Sequence, residues 1–193
     1  MKNFRNIKGT HDILPEDSYK WRHLESIVHQ VCAQFGYQEI RTPIFEQNKL
    51  FSRSVGEESD IVTKEMYSWE DKDNSFLTLR PELTAPVVRA YNQHNLGNIS
   101  PIHRLYYIGP LFRRERPQKG RQRQFHQFGI EAFGSNFAEQ DAETIALAWQ
   151  VLSHFRLANK IDLQLNSIGT SESRSAYRDA LKQFLKPHFD ELS

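Results

Sequence analysis

Apolar positions give the first outline of the chain. Over residues 15–35 they recur at helical spacing, with Trp21, Leu24, Ile27, Val28 and Val31 on one side. Pro15, Glu16 and Asp17 suit the first turn, where the helix dipole favours negative charge, and Gly36 stands where a left-handed stop is needed. Residues 37–45 alternate as a strand, and Pro43 within it marks an edge or an interface. A short helix is expected over 48–55, ending at Gly56, then a polar, acidic loop over 57–65. Strands at 66–69 and 76–79 are joined by the turn Asp71-Lys72-Asp73-Asn74. That places Arg80-Pro81-Glu82-Leu83-Thr84-Ala85-Pro86 at a strand end, just before a helix carrying Val87, Val88 and Tyr91. Further on, residues 135–155 read as a helix with Ser135 or Asn136 as N-cap, 161–165 alternate as a strand, and a last helix spans 171–185. A turn-rich lead-in, Gly-Thr-His-Asp-Ile-Leu-Pro, precedes all of this.

The clearest pattern lies in the middle. Residues 104–114 and 124–133 are aromatic and β-branched enough for two strands, and Pro117 and Gly120 between them favour a loop. With a side-chain period of two, Arg113 and Glu115 share a face of the first strand. Phe125, Gln127, Gly129, Glu131 and Phe133 share a face of the second. An ordinary half-buried strand would be apolar at those positions, yet this one carries an amide and a carboxylate. Gly129 leaves a gap where a ligand could approach the backbone. His126 falls on the reverse face, as a packing residue.

Charge sharpens the picture. Six basic residues and one acid, Glu115, lie between Arg113 and Arg123, in a chain whose formal net charge is only +1. A solvated surface loop is the bland reading; an anion-binding loop is the functional one. The 38% hydrophobic content suits a chain that buries a core. No apolar run approaches the roughly 20 residues that span a bilayer, and the N-terminus lacks a secretory apolar region, so the expected location is the cytoplasm. Cys32 is the single cysteine, which leaves no internal disulfide and no cysteine-based zinc site. The histidines show no paired ligand spacing, and no metal site is expected. At Glu82 and Thr84 two readings stand side by side: helix capping, or ligand binding at a strand-to-helix junction.

Phe-Arg-x-Glu, a basic loop, Arg-x-Arg-Gln-Phe-His-Gln and a later Glu together resemble motif 2 of class II aminoacyl-tRNA synthetases, in the form found in histidyl-tRNA synthetases. The first helix, the strand after it and Pro43 resemble motif 1, a more degenerate pattern that builds the dimer interface of that class. Arg-Pro-Glu-x-Thr-Ala and Leu-Asn-Ser-Ile-Gly are similar to further stretches of the histidine enzymes, with Leu83 where many of them have Gly. The resemblance implies an α+β fold, a mainly antiparallel sheet flanked by helices. It also implies ATP-dependent activation of histidine and its transfer to tRNA(His), with Mg2+ as the accompanying ion and a homodimer as the assembly.

Carried over residue by residue, the resemblance gives Arg113 the α-phosphate as the catalytic contact, Glu115 the adenine edge, Arg121 the outer phosphates and Phe125 an adenine stack. Glu82, Leu83, Thr84, Gln127 and Glu131 would surround histidine. Arg116, Gln118, Lys119 and Arg123 would meet the tRNA acceptor end. The family's later segments, including motif 3 with its arginine and an anticodon-binding domain, have no counterpart in residues 1–193. The expectation is therefore a partial catalytic domain, inactive alone. Two alternatives stand beside it: a non-catalytic, histidine-sensing regulatory subunit of ATP phosphoribosyltransferase, and a free-standing binding or dimerisation fragment. The full basic loop and Lys-Glu-Met-Tyr at 64–67 weigh against the first.

Overall fold

The computed structural model describes residues 4–55, 65–116, 118–167 and 169–191. The helix stop expected at Gly56, nearly all of the acidic loop, Pro117, Ile168 and Lys64 of the 64–67 stretch lie outside the described residues. The chain divides into two units, Met1–Ala158 and Asn159–Ser193.

In the first unit, helix α1 (Pro15–Gln34) starts at the expected proline and stops before Gly36, whose φ of 73° is the left-handed conformation that a residue with a Cβ resists. Strands β1 (Gln38–Glu39) and β2 (Phe45–Gln47) follow, then helix α2 (Asn48–Val55), strands β3 (Ser68–Glu70) and β4 (Phe76–Leu79), and helix α3 (Thr84–Gln93). The long hairpin pairs β5 (His103–Phe112) with β6 (Gln124–Phe133), and helix α4 (Ala138–His154) closes the unit.

Two three-stranded sheets result. One has the order β1-β5-β6, with β1 parallel to β5 and β5 antiparallel to β6; the other, β2-β4-β3, is antiparallel throughout. The α+β class and the mainly antiparallel pairing hold. Period-two alternation sorts the hairpin's side chains between two cores. Tyr106, Ile108, Phe128 and Ile130 face Val28, Val31 and Cys32 of α1 and Leu147 and Val151 of α4. Leu105, Tyr107, Leu111, Phe125 and Phe133 face Leu83 and Val87 at the start of α3. The hairpin is thus clamped between helices, and its α3 side carries the residues singled out above. Arg104 and Glu143 fasten α4 to β5 through two bonds at 2.8 and 3.1 Å.

Several expectations need correction. The single strand over 37–45 is two short ones, because the carbonyls of Thr42 and Pro43 bind the side chain of Arg80 instead of a neighbouring strand. The hairpin's first strand ends at Phe112, so Arg113 and Glu115 lie in the loop. Helix α4 begins at Ala138, not 135. Its N-cap is Phe137, and the Ser135 hydroxyl is taken by the Phe137 N–H at 3.3 Å.

In the second unit, residues 161–165 pair with no strand among the described residues and are mostly exposed, so they form no strand. Alternation alone cannot make one without a ladder partner. Helix α5 (Ser171–Leu185) matches its expected span, and the Thr170 side chain caps it by accepting from the Ser173 N–H at 3.2 Å. Among the described residues no helix is long and apolar enough to cross a membrane.

Candidate active site

Arg80 holds the site's foundations. Its buried guanidinium donates to the carbonyls of Pro110 (3.0 Å), Thr42 (2.9 Å) and Pro43 (3.3 Å), and burial lowers its pKa against the opposing charge of Glu46. Both sheets are thereby tied to the strand end that carries Glu82. A Cβ on Gly109 would come within 2.5 Å of this guanidinium and would force it to shift.

Glu82 caps α3. Its carboxylate accepts from the N–H of Thr84 at 2.6 Å and of Ala85 at 3.0 Å. Burial raises its pKa; the two capping bonds oppose that shift, and the charge of Glu131 adds to it. The capping reading is therefore realised. Close to Glu131 stands Tyr107, whose hydroxyl donates to Glu131 Oε1 at 3.1 Å. Burial pushes this phenol up to about 12, with Thr84 opposing and Glu131 and Glu82 adding. Tyr107 pairs with Gly129 in the ladder, and a Cβ on Gly129 would lie 2.4 Å from the phenol oxygen. The gap read from the sequence as a ligand approach is filled by this ring.

Glu82, Thr84 and Ala85 also line a cleft of about 780 Å³ with Leu50, Val88 and Arg89. Leu83 turns away from it into the apolar core, 2% exposed. Gln127, opposite Gly109 in the ladder, is exposed on the same strand as Glu131.

The second cluster forms at the base of the basic loop. Arg113 Nε donates to the carbonyl of Pro81 at 2.9 Å, and its guanidinium lies over the Phe125 ring at 5.3 Å. Glu115 is shared: one oxygen lies 3.8 Å from Arg113 Nη1, the other 3.3 Å from Arg121 Nη1. Arg116, Gln118 and Lys119 are exposed on the loop, where the Arg121 N–H bonds to the Gln118 carbonyl at 2.9 Å and Gly120 takes a φ of 82°. Arg123 is half-buried and reaches back to the carbonyl of Glu115 at 3.4 Å. Arg113, Glu115, Arg121 and Phe125 therefore come together, as do Glu82, Thr84 and Glu131, and Arg113 links the sets through the backbone beside Glu82.

The family model of histidyl-tRNA synthetase matches residues 9–181, which include every residue of both clusters. The chain belongs to the histidyl-tRNA synthetase family. It is 54% identical over 190 residues to a histidine–tRNA ligase of Chloroherpeton thalassium, and 51% identical over 192 residues to one of Levilactobacillus brevis. Each match takes in 98% of this chain and 44% of the relative, so the chain spans less than half the length of these curated relatives. The apo histidyl-tRNA synthetase of S. aureus superposes with a TM-score of 0.76 at 39% identity, over 99% of this chain and 44% of that one. A Bacillus halodurans C protein described as an ATP phosphoribosyltransferase regulatory subunit/histidyl-tRNA synthetase follows at a TM-score of 0.68 and 28% identity, over 80% of this chain and 38% of that one.

Sequence reasoning missed Tyr107. Its signal was the hairpin register: a large side chain on the same face as Glu131, opposite a glycine in the neighbouring strand. Among the described residues no group of three or more His, Cys, Asp or Glu side chains could hold a metal.

Proposed function

We propose that this chain supplies ATP- and histidine-binding parts of a histidine–tRNA ligase catalytic domain. The bond from Arg113 to the Pro81 carbonyl carries the reading, because it sets a phosphate-binding guanidinium beside the carboxylate that would hold the amino acid. In the reaction, a histidine carboxylate oxygen attacks the α-phosphorus of ATP and pyrophosphate leaves with the electron pair of the broken P–O bond. The histidyl group then passes from the adenylate to a hydroxyl of the terminal tRNA ribose, releasing AMP.

Negative charge grows on the α-phosphate oxygens during the attack, and fixed cations stabilise it best when already in place. Arg113 takes that role. Arg121 takes the outer phosphates, Phe125 stacks on adenine and Glu115 accepts from the adenine edge. Glu115 is shared between the two arginines; phosphate bound to them would free its carboxylate for the base. Mg2+ enters with ATP as part of the Mg–ATP substrate. Glu82, Thr84, Gln127 and Glu131 hold histidine, with Tyr107 fixing the Glu131 carboxylate and Leu83 supporting the pocket from the core. Arg116, Gln118, Lys119 and Arg123 meet the acceptor end. A homodimer through α1 and the strands after it, acting in the cytoplasm, completes the reading; the exposed Phe45 and Trp69, 6.3 Å apart, are consistent with such a surface.

Pyrophosphate exchange into ATP by the complete gene product tests this. Exchange that depends on histidine, together with histidylation of tRNA(His), is expected. Histidine binding without either activity would favour the regulatory-subunit reading.

A further inference from the structure

The lead-in Gly-Thr-His-Asp-Ile-Leu-Pro has no part in the function proposed above, yet it touches the nucleotide cluster. Residues 7–10 form a turn in which the Thr10 N–H and hydroxyl both bond to the Ile7 carbonyl, at 3.0 and 2.8 Å. Gly9 occupies its third position with a φ of 90°, which such turns reserve for glycine. Its carbonyl then accepts two N–H groups at the end of the basic loop, Arg123 at 2.7 Å and Gln124 at 3.2 Å. The Arg123 carbonyl in turn accepts the Arg113 N–H at 2.9 Å, and Arg123 Nε reaches the Glu115 carbonyl at 3.4 Å. One carbonyl thus leads, through a single residue, to the backbones of both Arg113 and Glu115. The fit is tight: a Cβ on Gly9 would lie 2.9 Å from Arg123 Cγ and 3.2 Å from its Cβ and Cδ.

We propose that Gly9 is a positioning residue of the nucleotide site: its carbonyl clamps the base of the basic loop and so fixes where Arg113 and Glu115 meet ATP. This rests on the assignment of ATP to that cluster. It also gives Arg123 a task inside the protein. The strand β6 carrying Glu131 continues from the clamp, but Glu131 is held independently by Tyr107, so a disturbed clamp acts on the nucleotide and spares the amino acid.

Calorimetric titration of the complete gene product with ATP and, separately, with histidine tests this. Gly9→Ala is expected to weaken ATP binding about ten- to a hundredfold, the scale of an ångström-sized misplacement, and to leave histidine affinity within about twofold. Equal losses for ATP and histidine would show general loosening of the fold and overturn the proposal. So would unchanged ATP affinity. Failure of the unsubstituted protein to bind ATP would instead remove the nucleotide site itself, and this clamp with it.

Discussion

Tyr107 and Glu131 stand diagonally across the β5–β6 ladder, and the phenol donates to the carboxylate at 3.1 Å. The contact exists because Gly129 leaves room for the ring. A carboxylate held by one donor keeps its second oxygen and remaining lone pairs for a ligand.

Tyr107→Phe removes that donor and keeps the ring. A hydrogen bond to a charged group contributes about 1.5 to 3 kcal/mol, so histidine binding should weaken by roughly ten- to a hundredfold. ATP binding should not change, since Arg113 and Arg121 do not touch Tyr107. Paired titrations of the variant with the two ligands check this; equal losses would mean that Tyr107 supports the whole domain rather than the amino-acid pocket.

Arg80→Met addresses stability. The guanidinium serves carbonyls of Thr42, Pro43 and Pro110, with no carboxylate bonded to it among the described residues. Relieving a buried cation offsets part of the loss, but carbonyls left without a donor cost about 1 to 3 kcal/mol each. A net loss of roughly 2 to 4 kcal/mol is expected on those figures, read as a lower urea midpoint at unchanged slope.

Cys32 gives a pH signature. Fully buried, its thiol is pushed up to about 11 from 9.0. A raised acid holds its proton longer in the folded chain, so its stabilising contribution is full below 9.0 and is lost as the pH rises to about 11. The shift corresponds to roughly 2 to 3 kcal/mol. Urea unfolding of the unsubstituted chain and of Cys32→Ala should therefore show a stability difference that shrinks across this window. The buried tyrosines titrate in both proteins and largely cancel. A difference independent of pH would mean that the thiol ionises alike in both states.

Arg116 and Lys119 test the RNA face. Both are exposed on the loop, whereas Arg123 is half-buried and also bonds to the Glu115 carbonyl, so its loss would not report on RNA alone. Replacing both with Ala should lower tRNA affinity and reduce the log-log salt slope by about one unit per lost phosphate contact. Unchanged affinity and slope would take the loop out of the RNA interface.

What the sequence made legible follows from where its signals are local. Helix α1 has a proline start, a glycine stop and one apolar side; the hairpin has two periodic strands about a Gly-containing loop. Both stand where expected, save that β5 ends at Phe112 and leaves Arg113 and Glu115 in the loop. Strand 37–45 failed because a residue more than 35 positions away, Arg80, takes the carbonyls of Thr42 and Pro43. Residues 161–165 alternate but find no strand partner among the described residues. The site divides in the same way. Its charged residues were visible as a motif, but Tyr107 needs the strand register, and Gly9 needs the tertiary contact with Arg123. At Glu82 the capping reading is realised, its carboxylate accepting from the N–H groups of Thr84 and Ala85, and the binding reading belongs to the function proposed above.

The central claim is that Glu131 serves histidine while the cluster at Arg113 serves ATP. Glu131→Ala in the complete gene product, titrated calorimetrically with each ligand, tests it most directly. Loss of a charge-assisted contact should weaken histidine binding by about 1.5 to 3 kcal/mol and leave ATP binding close to its original strength. Weakened ATP binding with histidine affinity retained would contradict the account.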